Sequence, residues 1–300
     1  MIARRGFLAL LTLLPFGARA TPFAVPQLAA PAGPMQIYHL GHSLVGADMP
    51  HMVSQLAPYG HRYNAQLGSG TSLQDHWEPD LDILHFDKVN HAPVWRDARE
   101  AVGSGDYDAV ILTEMVELRD AIRYFKGARY FRRWADLARD GAPETRIYLY
   151  ETWHPLDIAD GWLSRIDGDL DQLWLGGLAG SDSRRNPKRL AYLIPAGQVM
   201  AAVVRAAEAG QIDGLTHRED LFARTDEGAL DQIHINDLGA YIVALTHVSV
   251  LYHLNPTGLP HQLTRADGTT AYALSAKAAR QVQGIVWQVV TAQPRTGVSQ

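Results

Sequence analysis

The chain has 300 residues, 47% of them apolar and 20% charged, with a formal net charge of −5. That balance leaves no basic footprint for nucleic acid. With no cysteine anywhere, it also excludes a thiol nucleophile, a Cys-ligated zinc and any disulfide.

The first twenty residues read as a targeting segment. Arg4 and Arg5 precede an apolar run through Phe16 and then Ala18-Arg19-Ala20, a positive start, a short apolar core and a small-x-small cleavage signature. The paired arginines before x-Phe-Leu suit a twin-arginine signal, with an ordinary Sec signal as the alternative. Residues 21–34, rich in Pro and Ala, are expected to be a flexible leader, and 35–300 a single domain. No stretch approaches the ~18 apolar residues of a bilayer span, so no stable membrane span is expected after processing. The location implied is periplasmic or secreted.

The mature chain alternates strand and helix patterns. Gln36–Leu40 reads as a strand, Ala47–Tyr59 as a helix with Pro50 in its first turn, and Arg62–Leu67 as a second strand closing on Gly68-Ser69-Gly70. Tyr107–Leu112 is a continuous apolar run, as in a buried parallel strand, followed by a helical stretch over Asp120–Ala138. Arg146–Tyr150 and Ala191–Pro195 are further strands; Gln198–Glu208, Leu238–Leu254 and Ser275–Val290 are further helices. Strands separated by helices predict an α/β fold whose parallel sheet is covered on both faces.

Chemistry collects at the ends of the predicted strands. Ser43 follows the first strand by a few residues and precedes a helix, where its hydroxyl would stand at the carboxyl edge of the sheet; capping that helix is its other available role. In Asp231-Gln232-Ile233-His234, the carboxylate precedes the imidazole by three residues, a spacing at which a short turn brings Asp231 to Nδ1–H of His234 and leaves Nε2 as a base. Gly68 and Gly70 either form a plain turn or let backbone amides approach a substrate. Thr113 and Glu114 end the most apolar strand and are expected to point into the same crevice, with Glu114 facing solvent at a helix start as the alternative. His42 and Trp153 can reach its rim, Trp153 either to stack on a sugar ring or as core. No cofactor is called for, and without an H-E-x-x-H pattern no metal site is expected.

Together, Gly41-His42-Ser43-Leu44, the glycine loop at Gly68–Gly70 and Asp231-x-x-His234 resemble the SGNH/GDSL hydrolase superfamily. They resemble in particular a subgroup with G-N-S-[FL] at the serine, Gly-x-S-L…H after it, L-Q-E ending the third strand and a T-W pair after the next. Those blocks stand here as Gly41–Leu44, Gly70-Thr71-Ser72-Leu73…His76, Leu112-Thr113-Glu114 and Thr152-Trp153. The resemblance implies a flavodoxin-like three-layer α/β/α sandwich. It implies Ser43 as nucleophile, His234 as base, Asp231 as its orienter, and the amides of Ser43 and Gly70 as oxyanion donors. Where most of the superfamily supplies a third donor from an asparagine in G-x-N-D, this chain has Thr113-Glu114. Three outcomes are therefore open: Thr113 Oγ donates, a protonated Glu114 donates, or the hole has two donors. The implied activity is hydrolysis of an acyl ester, O-acetyl groups on a glycan being one candidate substrate. An O-acyltransferase on the same triad and a non-catalytic glycan-binding protein are the alternatives.

Overall fold

The computed structural model describes residues 25–299; the expected targeting segment lies outside the described residues. Five parallel strands form the central sheet: β1 (Met35–His42), β2 (His61–Gly68), β3 (Ala109–Leu112), β4 (Arg146–Glu151) and β5 (Tyr192–Pro195), in the order β2-β1-β3-β4-β5. That order, with every strand parallel, is the flavodoxin-like arrangement.

Period-two alternation splits the strand residues between two apolar layers. Ile37, Ala109, Ile111, Tyr148, Tyr150 and Ile194 face helices α1 (Asp48–Leu56), α4 (Ala196–Glu208), α5 (Asp237–Tyr252) and α6 (Ala276–Ala292). Tyr38, Leu40, Val110, Leu112, Ile147, Leu149 and Leu193 face the other way, against α3 (Gly127–Gly141), the short helix Ala98–Gly103 and the π-helical turn Leu170–Ala179. Helix α5 is buried from Leu238 to Tyr252, as an all-round apolar helix must be. The three-layer α/β/α fold is therefore present.

Three local differences from the sequence reading have physical causes. The expected helix over Asp120–Ala138 is two helices, Leu118–Arg123 and α3, separated where Lys126 adopts φ +54°. The aromatic spacing continues across that break and hides it. Residues 25–34 do not hang free, because the Leu28 amide donates to Gly297 O (2.9 Å) and Arg146 Nη2 to Ala29 O (3.1 Å). The third difference is a small antiparallel ribbon, β6 (Phe222–Arg224) with β7 (Leu230–Ile235), which stands apart from the main sheet.

The carboxyl ends of β1–β5 converge on one edge, and the sequence there is fitted to tight quarters. Any Cβ at Gly41 would run into the Thr113 methyl, so only glycine lets β1 lie this close to the end of β3.

Candidate active site

Ser43 sits in the turn that leaves β1, and its neighbours fix that turn from below. Leu44 N donates to His42 Nδ1 (3.4 Å), His42 Nε2–H donates to Glu114 O (2.9 Å) and Tyr150 Oη donates to Leu44 O (2.9 Å). His76 Nε2–H donates to Gly41 O (2.8 Å), while its Nδ1 accepts from Gln66 Nε2 (3.2 Å). Ser43 does not cap α1: the N-cap position is Ala47, and no side chain caps there.

His234 is carried on β7. Asp231 Oδ1 accepts the amides of Ile233 and His234, both at 2.9 Å, which bends the chain back on itself. Oδ2 is thereby aimed at His234 Nδ1, 2.8 Å away, and His234 Nε2 lies 2.9 Å from Ser43 Oγ. Partial burial works against the charge on Asp231, but the two amides and the His234 ring together outweigh it and hold the carboxyl below its ordinary value. A single relay thus joins carboxylate, imidazole and hydroxyl, from residues separated by 191 positions in the chain. Beside it a cavity of about 130 Å³ is lined by Ser43, Gly46, Asp48, His234, Asn236 and Asp237, among others.

Among the described residues the backbone amides of Ser43 and Gly70 have no hydrogen-bond acceptor. Gly70 is exposed and has φ +60°, a conformation that favours glycine. Because His42 pairs with Gly68 in the β1–β2 register, the Ser43 turn and the Gly70 loop leave adjacent strands side by side.

The remaining expected site residues turn their side chains away from the crevice. Thr113 is fully buried and its Oγ1 donates to Tyr150 O (2.7 Å), so it has no proton for an oxyanion. Glu114 is also fully buried, and Oε1 accepts the amides of Leu73 (3.1 Å) and Met115 (2.9 Å); it does not line the crevice. His42 is 2% exposed with both ring nitrogens engaged, and serves as a strut under the serine rather than as a substrate contact. Trp153 is core: its ring is buried and Nε1–H donates to Ile233 O (2.8 Å). It holds β7 in place instead of standing on the rim. His76 and Tyr150 escaped notice as site residues. His76 lies in a block already singled out, whereas no spacing in the chain signals Tyr150.

Burial sets the titration of several groups in the protein interior, at this edge and beyond it. Desolvation brings His42, His61, His76 and His247 down from 6.5 to about 4, and pushes Glu114 and Glu151 up from 4.5 to about 8. Below pH 6.5 the unfolded chain takes protons that the folded histidines refuse, so their contribution to stability is lost as pH falls toward 4. Above pH 4.5 the unfolded chain gives up protons that the two folded carboxyls keep, so theirs is lost as pH rises toward 8. Each group shifts stability by about 1.4 kcal/mol per pH unit within its window. The four histidines outweigh the two carboxyls below pH 6.5, and above it the carboxyls act alone. Thermal unfolding between pH 4.5 and 8.5 is therefore expected to give a maximal Tm near pH 6.5. The double substitution Glu114→Gln, Glu151→Gln should flatten the alkaline arm. A Tm that climbs steadily through pH 8 would contradict this account.

No family model and no curated protein matches the chain. Among solved structures it is similar to a DUF4886 family protein from Bacteroides uniformis, with a TM-score of 0.54 and 13% identity over 86% of this chain and 95% of that one. It is more loosely similar to a GDSL-like lipase from Parabacteroides merdae (TM-score 0.45, 12% identity, 76% and 99% of the two chains). A third is a carbohydrate esterase family 2 enzyme plus carbohydrate binding domain from Corynascus thermopiles (TM-score 0.41, 11% identity, 76% and 68%). At these identities the likeness is one of fold. Among the described residues no helix is long and apolar enough to cross a membrane, and no group of three or more His, Cys, Asp or Glu is placed to hold a metal ion.

Proposed function

We propose that the chain is an exported serine esterase of SGNH type that hydrolyses a short acyl ester, with O-acetyl groups on a glycan as the favoured substrate class. The observation that carries this reading is the relay from Asp231 Oδ2 through His234 to Ser43 Oγ, with contacts of 2.8 and 2.9 Å. A hydroxyl in that setting can lose its proton to Nε2 as it attacks, and the carboxylate stabilises the imidazolium that forms.

In the first half-reaction Ser43 Oγ bonds to the ester carbonyl carbon while His234 Nε2 takes the hydroxyl proton. The carbonyl oxygen becomes an oxyanion facing the amides of Ser43 and Gly70. Collapse breaks the bond to the alcohol oxygen, which receives the proton from His234. In the second half a water follows the same path and releases the acid, regenerating Ser43. The small cavity beside Ser43, about 130 Å³, is well under the ~300–1,000 Å³ of typical drug-sized sites and supports a short acyl group. The paired arginines at Arg4 and Arg5 support export, and export makes an envelope glycan an accessible substrate.

A fluorophosphonate probe with p-nitrophenyl acetate turnover tests the reading. The expected result is steady release of p-nitrophenol and a covalent adduct mapped by mass spectrometry to Ser43. A folded protein that neither turns over the ester nor takes the label would overturn it.

A further inference from the structure

We infer that the Glu114 carboxyl is a positioning residue for the oxyanion hole, fixing the Gly70 loop relative to the Ser43 turn. This rests on the esterase reading and adds to it the group that sets the spacing of its two donors.

Glu114 leaves the end of β3, which lies next to β1 in the sheet. Its main-chain carbonyl accepts from His42, the residue before the serine. Its Oε1 accepts from Leu73 N, three residues beyond Gly70. One buried residue therefore holds both segments, one through its backbone and one through its side chain. His76 makes a second link of this kind, from the helix after the loop to Gly41 O, and Ser69 N donates to Leu84 O (2.9 Å), but a Cβ built on Gly70 meets no atom within 4 Å, so that residue itself is not packed in place. The loop has to be fixed at its ends. At one end, Gly68 closes β2 against Thr71 and Ile83. At the other, Leu73 opens the short helix α2 (Leu73–Trp77). The Ser72–Asp75 capping box satisfies the amides of Ser72 and Asp75 and leaves the first helical amide, Leu73 N, for Glu114.

Two further facts support a positioning role. Glu114 Oε2 is buried without a hydrogen-bond partner among the described residues, an arrangement that costs stability and so calls for another benefit. With Thr113 Oγ1 committed to Tyr150 O, the hole depends on two backbone amides, and a small displacement of either costs rate.

The test compares Glu114→Met, which removes the acceptor at similar length, with Glu114→Gln, which retains one. Turnover is normalised to the acyl-enzyme burst, so that only folded, acylated sites count. Glu114→Met is expected to lower kcat about 30-fold with KM within about twofold, less than the ~10²–10³ for deleting a donor outright. Glu114→Gln is expected to stay within about threefold of the parent. A Glu114→Met protein that melts lower yet keeps its kcat per active site would reduce the carboxyl to a structural part and overturn the inference. Should Glu114→Met fail to fold, Leu73→Pro removes the donor instead. Proline is favoured at a first helical position, and Ser72 already has the extended backbone that precedes it (φ −85°, ψ 162°). The same loss of kcat supports the inference and an unchanged kcat overturns it. A parent protein that neither turns over the ester nor takes the fluorophosphonate label would instead mark failure of the esterase reading.

Discussion

Asp231→Asn is expected to lower kcat for p-nitrophenyl acetate by about 10³–10⁴-fold while leaving the fold in place. The geometry separates the two jobs of this residue. Oδ1 receives the amides of Ile233 and His234, and an asparagine oxygen can still do so, keeping the bend in β7. Oδ2 faces His234 Nδ1, and there an amide would present N–H groups instead of an acceptor. The imidazole would then carry its proton on Nε2, aimed at Ser43 Oγ, and could no longer accept one from it. A variant with unchanged Tm and circular dichroism but greatly reduced turnover fits this account. Activity within tenfold of the parent would remove Asp231 from the role of orienter.

Ser43→Ala is expected to be costlier still, about 10⁵–10⁶-fold in kcat, with the fluorophosphonate adduct abolished. Among the described residues the only side-chain partner of Ser43 Oγ is His234, and the hydroxyl caps no helix, so its removal leaves the surrounding structure unstressed. The Ser43 amide remains, and with Gly70 it can still stabilise an oxyanion formed by water attack. A residual rate above the uncatalysed one is therefore expected, and Asp231→Asn added to Ser43→Ala should lower it little further. An intact rate in Ser43→Ala would place the nucleophile elsewhere.

The fold was legible because its signals are local and repeated. Apolar runs such as Tyr107–Leu112 alternate with helical patterns, and that rhythm leaves few topologies. Ser43, Asp231 and His234 were legible for a related reason: strand ends converge on one edge, and a three-residue spacing is short enough to imply contact. Direction was harder. Thr113, Glu114, His42 and Trp153 all lie at that edge, as their positions in the chain require, yet each turns its side chain into the protein. Which way a residue points at a strand end depends on partners far away in sequence, such as Tyr150 for Thr113 and Ile233 for Trp153. No pattern within one segment encodes those partners. The β6–β7 ribbon was missed because Phe222–Arg224 and Leu230–Ile235 are short and half exposed, without a sustained alternation.

That ribbon divides the catalytic machinery between two mechanical units. Ser43 is rooted in the five-stranded sheet, while Asp231 and His234 ride on a two-stranded appendage. The segment after β4 grips the appendage through Trp153 Nε1 to Ile233 O and Leu156 N to Gln232 O. A two-stranded ribbon has little cohesion of its own; this one is held because Phe222 is buried in the main core and Leu230, Ile233 and Ile235 pack against it. The alignment of His234 with Ser43 is therefore tied to the packing of that face of the core, and heating should end both together.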